Sequence, residues 1–297
     1  MSQSSPIDIA IIGGSGLYQM EGLEVIRRVR PSTPFGRPSD AILLGNLEGK
    51  GVAFLSRHGR GHRISPTSIN YRANIYALKS LGVSRIFSVS AVGSMKETIH
   101  PGDLLLPDQL IDRTTQRVST FFDQGVVAHV AFADPLCPSL ASILREATHG
   151  MGVTVHDRGT YVCIEGPQFS TRAESRLYRQ RDVEVIGMTN LPEAKLAREA
   201  ELCYATLALV TDYDCWHETE EDVSVGSILR IMQKNVEVAQ RVLAQAVRQV
   251  PNTSTCHCHT ALEQAVVTDL HALTPSVRKR YHLLLKRKLG GKRQKKG

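Results

Sequence analysis

The sequence predicts an α/β fold, a central mixed β-sheet flanked by helices, and three observations carry that expectation. Short runs dense in Val, Ile, Leu and Phe recur along the chain, as strands buried on both faces require. Helical patterns separate several of these runs. Three of the runs end in small residues or in an Arg/His cluster, and ligands of open α/β sheets sit beyond the carboxyl ends of strands.

In order, residues 7–12 of IDIAIIGGSG read as a buried parallel strand opening into a tight glycine turn. Further strands are expected at 41–45, 52–56, 85–90, 104–111, 153–156, 158–164, 184–187 and 205–210, and helices at 68–81, 138–150, 171–181 and 192–203. The longest helix runs from about Ser224 to Val250, where Ile228, Leu229, Met232, Val236, Ala239, Val242, Leu243, Ala246 and Val250 recur at three- and four-residue steps. With no internal repeat and no Pro/Gly/Ser linker, residues 1–250 are expected to form a single domain. Residues 251–277 should follow as a loop with a short helix over 261–273, and 278–297 as a basic, disordered tail.

A chain of 297 residues with 42% hydrophobic content can bury a substantial core. It has no membrane-length apolar run and no secretory pattern at its start, so the expected location is cytoplasmic. Cys137, Cys163, Cys203, Cys215, Cys256 and Cys258 are scattered, mostly in apolar stretches, as reduced small hydrophobes would be. The formal charge of +7 is local: ten Lys/Arg and no acid fall in 278–297, leaving 26 basic against 29 acidic side chains before it. That tail reads as a solvated end, or as a nuclear localisation signal; nucleic acid is not the expected partner.

Four segments carry chemistry. Gly13-Gly14-Ser15-Gly16 can turn backbone N–H groups and a hydroxyl toward an anion, or be a plain turn. FLSRHGRGHRISP puts Arg57 and His58 past a strand end, where a guanidinium fork and a neutral donor suit phosphate, although a surface basic cluster is equally open. SVSAVGS offers Ser90, Ala91 and Gly93 in a small-residue turn. LALVTDYDCW places Asp212 and Asp214 two apart on an extended segment, so both carboxylates face one way, toward a planar ligand edge, a metal or a helix end. Cys256-His257-Cys258-His259 lacks the spread to wrap a tetrahedral ion unaided and reads as an incidental loop; no metal site is expected.

Together these motifs resemble the 5′-methylthioadenosine phosphorylases, within the purine nucleoside phosphorylase family. IIGGSGLY, TPFGRPSDA, RHGRGH, NYRANI, SAVGS, PGDLLLPDQLIDRTT, IEGPQFSTRAES, GMTNLPEA and TDYDCW carry the resemblance in family order over residues 7–250. It implies a nucleoside phosphorylase fold and phosphate binding by Ser15, Arg57, His58, Ser90, Ala91 and Thr189. Ser15 and Ser90 stand where the family more often has threonine. Met188 would lie under the ribose, Phe169 would stack on the purine, and Asp212 and Asp214 would face its imidazole and amino edges, with Asp212 as catalytic acid. Ser170 and Val225 match positions that vary between branches near the substrate, and His129 of a neighbouring subunit would complete an apolar wall in a homotrimer. Residues 261–273 match the family's closing helix poorly, which leaves Leu270 and Leu273 both open as the residue that closes over the thioether. The expected reaction consumes inorganic phosphate as co-substrate, needs no cofactor, and converts 5′-methylthioadenosine to adenine and 5-methylthioribose 1-phosphate. Phosphorolysis of 6-oxopurine nucleosides or methylthioinosine, hydrolysis without phosphate, and nucleic-acid binding through the tail are the alternatives.

Overall fold

The structure, a computed structural model, describes residues 6–14, 17, 20–217, 225–253 and 255–289, with 225–230 described in backbone alone. Ser15 lies outside these residues, as does the side chain of Val225.

The centre is β1 (Ile7–Gly13), which runs parallel to β4 (Lys50–Ser56) on one side and to β5 (Arg85–Ser94) on the other. Beyond β4 come β3 (Ile42–Leu47) and β2 (Glu24–Val29), both antiparallel to their neighbours. β5 also pairs with β11 (Cys203–Asp212), parallel, and with β10 (Val185–Gly187), antiparallel. Past β10 the sheet continues through β9 (Thr160–Ile164) to β7 (Gln109–Arg113), while β6 (Leu104–Leu105) and β8 (Val155–His156) extend it beyond β11. The mixed sheet flanked by helices is the expected one.

Strand alternation divides the core in two. On β1, Ala10 and Ile12 point into one apolar layer and Ile9 and Ile11 into the other; on β4, Ala53 and Leu55 oppose Val52 and Phe54 in the same way. The first layer is covered by α1 (Tyr71–Ser80) and α4 (Asn190–Glu199), the second by α2 (Pro138–Ala147) and α5 (Val225–Gln249). The stripe expected on the longest helix is buried at Ala239, Val242, Leu243, Ala246 and Val250. α3 (Arg172–Gln180) starts at Thr171 with a reciprocal capping box to Glu174.

Four expectations need correction. β2 escaped notice because it is an edge strand with Val25 48% and Ile26 58% exposed, so no burial pattern marks it. The strand expected at 104–111 divides into β6 and β7, which join different neighbours. Residues 261–273 form no α-helix; they bridge Val266 to Ala128 and end in a 3-10 turn at Leu270–Ala272. Residues 278–289 of the supposed tail pack on the domain: α6 (Pro275–Tyr281) is capped by Thr274, α7 (Lys286–Leu289) follows, and Tyr281, Leu284 and Leu285 are buried in the first layer. Its charge density masked the apolar YHLLL, which seals this segment onto the domain. Among the described residues no helix is long and apolar enough to cross a membrane.

Candidate active site

An interruption in strand pairing creates the site. β5 has β1 beside it through Ile12↔Ser88 and gains β10 only at Ile186↔Gly93, while β11 lines its other edge throughout. Between these points one edge of β5 has no strand partner among the described residues. Backbone groups alternate edges along a strand, so Ala91 presents its N–H on the same edge as Val89, whose carbonyl accepts from Arg57. Ala91 is exposed in a strand otherwise buried, which marks an opening onto solvent at this gap. Ser90 and Gly93 therefore belong to a continuous strand and not to the small-residue turn that the sequence suggested.

Of the residues expected to bind phosphate, Arg57, Ser90, Ala91 and Thr189 gather around the gap, Ser15 lying outside the described residues. The backbone N–H of Arg57 donates to Gly13 at 3.1 Å, tying the loop after β4 to the end of β1. Ser90 Oγ lies 2.9 Å from Thr189 Oγ1 and 3.1 Å from the hydroxyl of Tyr161, so three hydroxyls share one cluster. Gly187 has to lack a side chain, since a Cβ there would stand 2.0 Å from the Tyr161 hydroxyl.

Two assignments change in kind. Arg57 is 2% exposed, and its guanidinium is already engaged: Nε and Nη2 donate to the two carboxylate oxygens of Glu193 at 2.9 Å, Nη2 also to Ser88 Oγ, and Nη1 to the Val89 carbonyl. Four of five N–H groups are thus used, leaving one on Nη1 for a ligand in place of a two-pronged fork. Burial alone lowers the guanidinium pKa, but the Glu193 charge and hydrogen bonds outweigh it and hold the group cationic. His58 Nδ1 is 2.9 Å from the Ile64 carbonyl, which only accepts, so the proton belongs on Nδ1. Burial, then the Arg57 charge, brings the His58 pKa down to about 4. The ring is neutral near neutral pH and Nε2 is an acceptor; it can take the hydrogen of a monoprotonated phosphate but cannot donate.

Of the other basic residues of that segment, His62 stacks on the His58 ring with centroids 4.2 Å apart, while the two arginines look elsewhere. Arg60 and Arg63, both exposed, line a hollow of about 380 Å³ with Arg28, Arg30 and Asp40.

At the far end of the gap β11 finishes in Asp212, opposite Gly93. The extended geometry expected for the two carboxylates gives way to a turn, because Asp214 adopts a left-handed φ of 56° and returns its backbone N–H to Asp212 Oδ1 at 2.8 Å. Asp212 Oδ2 accepts from Thr211 Oγ1 at 2.6 Å. Burial raises the Asp212 pKa, opposed by these two hydrogen bonds and assisted by the Asp214 charge. Ser170 Oγ lies 2.9 and 2.7 Å from the two Asp214 oxygens, which brings the loop after β9 to the carboxylates. On that loop Phe169 is 42% exposed, and Gly166 packs so closely on Met188 that a Cβ would stand 2.5 Å from its sulfur. His129 is exposed, and no hydrogen bond joins it to the others among the described residues.

Sequence reasoning missed Glu193, Arg117 and Trp216. Arg117, its side chain 1% exposed, donates to Glu165 and to the carbonyls of Met188 and Leu191, so one buried cation fixes the loops bearing Phe169 and Thr189. Trp216 donates to the Ser94 carbonyl and lies under the Arg179 guanidinium at 3.5 Å, which pins the turn after Asp212. A lone acid among Leu191, Ala194, Leu196 and Ala197 was the readable sign of Glu193.

Gly93 offers a direct probe, since an added Cβ would meet Asp212 Oδ1 at 2.8 Å, Ile186 Cγ2 at 3.2 Å and the Asp214 nitrogen at 3.3 Å. Gly93→Ala is expected to displace the carboxylate and lower turnover about 100-fold, with a stability loss of about 1–3 kcal/mol. Steady-state rates beside a denaturant melt check this; a rate within twofold of wild type would mean that the carboxylate position is unimportant.

Residues 8–248 match the phosphorylase superfamily. The S-methyl-5′-thioadenosine phosphorylase of Geobacter sulfurreducens is 56% identical over 278 residues, 93% of this chain and 97% of that protein. Its counterpart from Koribacter versatilis is 54% identical over 283 residues, 95% and 97% of the two chains. A methylthioadenosine phosphorylase crystal structure from an antarctic soil metagenomic library aligns with a TM-score of 0.91 at 56% identity, covering 95% of this chain and 100% of that one. The Schistosoma mansoni methylthioadenosine phosphorylase in complex with adenine aligns with a TM-score of 0.82 at 35% identity, covering 86% and 96%. Similar to these proteins over nearly its whole length, and matched by the superfamily model over residues 8–248, the protein belongs to the S-methyl-5′-thioadenosine phosphorylase family of the phosphorylase superfamily.

Proposed function

We propose that this chain performs phosphorolysis of 5′-methylthioadenosine, giving adenine and 5-methylthioribose 1-phosphate. The observation that carries this reading is the placement of an anion-binding gap and a carboxylate pair beside two points of one strand, β5. Ser90 and Gly93 are three residues apart on β5, about 10 Å, a separation that suits a sugar held between the hydroxyl cluster and Asp212.

The chemistry follows from charge. As the bond from ribose C1′ to purine N9 breaks, its electron pair leaves with the base and the sugar becomes cationic. Phosphate held by Ser90, Ala91, Thr189, His58 and the remaining Arg57 N–H attacks C1′ and balances the sugar's charge. Ser15 joins this set by its place in the sequence. Asp212 supplies a proton to N7, so the base departs neutral. Met188 and Phe169 fit the roles of ribose floor and purine cover. The exposure of Phe169 and His129 suits contacts completed across a subunit interface, and a homotrimer with His129 and Val225 walling the methylthio group is part of the proposal.

Asp214 sets the base. A carboxylate accepts from a 6-amino group and opposes a 6-oxo group acceptor to acceptor. Asp214→Asn is expected to reduce the preference for adenine over hypoxanthine nucleosides about 10- to 100-fold, read as a ratio of kcat/KM values. An unchanged ratio would move base recognition elsewhere. The activity itself is tested by chromatography of products from methylthioadenosine and from inosine, each with and without phosphate; adenine release that persists without phosphate would make the protein a hydrolase.

A further inference from the structure

We propose that Cys137, Cys203, Cys256 and Cys258 form a structural zinc site that fastens the C-terminal segment to the sheet. The four come from separate stretches: Cys137 precedes α2, Cys203 opens β11, and Cys256 and Cys258 flank His257 in the turn after α5. Their sulfurs all lie within 4.8 Å of one another, with Cys137 and Cys256 at 3.6 Å. A tetrahedral ion with Zn–S bonds of about 2.3 Å needs sulfurs about 3.8 Å apart, so small side-chain rotations close the cage. Read as sequence, Cys256-His257-Cys258-His259 has too little spread to surround an ion. The fold supplies the two missing corners from 53 or more residues away.

The surroundings suit a tetrathiolate. Cys137, Cys203 and Cys258 are buried. On binding, each thiol gives its proton to solvent and the sulfur lone pairs bond the ion, leaving a net charge of −2. Arg85, 4% exposed, sits opposite Cys203 in the β5–β11 ladder and pairs with Asp8, which places a buried cation beside the cluster. The N-terminal end of α2 favours negative charge at Cys137. His259 Nδ1 lies 3.0 Å from the Glu201 carbonyl and Nε2 3.7 Å from Cys203 Sγ, so the imidazole packs beside the cluster.

The chain beyond this point matters to the site. Ala265 accepts from the backbone of His129, Val267 donates to Val127, and the Tyr281 hydroxyl accepts from Gln124, so the segment that the zinc would anchor supports the stretch carrying His129.

Metal analysis of the full-length protein, purified with a thiol reductant and reconstituted with zinc chloride, is expected to find about one zinc per chain. Cys256→Ser and Cys258→Ser should each reduce this to background, whereas Cys163→Ser, outside the cluster, should not. Zinc should raise the melting temperature of the demetallated protein by several degrees. Cobalt, the second probe, should give the intense visible bands of a tetrahedral thiolate site in the unmutated protein, which keeps the test valid if a variant fails to fold. Absence of zinc and of those bands after reconstitution overturns the proposal. So does zinc content unchanged in both serine variants, or disulfide pairing of these cysteines with no zinc uptake after reduction.

Discussion

Arg57→Ala is expected to cost about 3–5 kcal/mol of stability and to abolish saturation by phosphate in the accessible range. The reason lies in Glu193. It is fully buried, and its carboxylate takes two bonds from Arg57 and lies 2.8 Å from the Tyr204 hydroxyl and 3.2 Å from Ser88 Oγ. Removing the cation leaves a buried anion with neutral donors only. The lost Val89 contact also frees the β5 edge that shapes the gap. A double variant, Arg57→Met with Glu193→Leu, separates the two effects. Trading a buried ion pair for apolar groups of similar volume is close to neutral in stability, so the double variant should melt nearer to wild type than Arg57→Ala while remaining inactive. Urea melts and phosphate-dependent rates on the three proteins decide the matter. Arg57→Ala melting within about 1 kcal/mol of wild type would show that the pair is not structural, and normal phosphate saturation would remove Arg57 from the site.

That pair also shows where sequence reading succeeds and where it stops. Arg57, His58 and Ser90 were legible because each follows or ends an apolar run, and a strand end in an α/β sheet is a predictable location, whereas Thr189 came from the family resemblance alone. Their division of labour was not legible. Whether a guanidinium faces a ligand or a neighbour depends on Glu193, 136 residues away, and which imidazole nitrogen is free depends on the carbonyl of Ile64. Asp212 and Asp214 were found by spacing, yet the reason offered, an extended strand, was replaced by a left-handed turn. The C-terminal segment was misread because ten basic residues dominate its composition, whereas three apolar side chains decide its packing. Local patterns specify strands and helices; partners far apart in the chain set the chemistry of each group.

Asp212 tests the proton transfer. Asp212→Ala is expected to lower kcat about 10²- to 10⁴-fold, with phosphate KM changed only a few-fold, because the anion gap lies at the other end of the sugar. Asn at this position keeps an N–H that can reach N7 and should retain intermediate activity. The pH dependence has a definite sign. Burial raises the Asp212 pKa in the folded protein above its unfolded value, so the protonated form is the more compatible with folding, and stability falls as pH rises through that interval. At pH above that interval the ionised group is a net cost in stability, and there Asp212→Asn should melt no lower than wild type. If Asp212 acts as the acid, wild-type kcat declines as pH passes its raised pKa, and the Asn variant, having no proton to lose, is slow but flat over that limb. Rate profiles with methylthioadenosine against pH separate the possibilities: a parallel alkaline decline in both proteins would place the departing base's proton on some other group, and a wild-type rate in Asp212→Ala would leave this carboxylate without a part in the reaction.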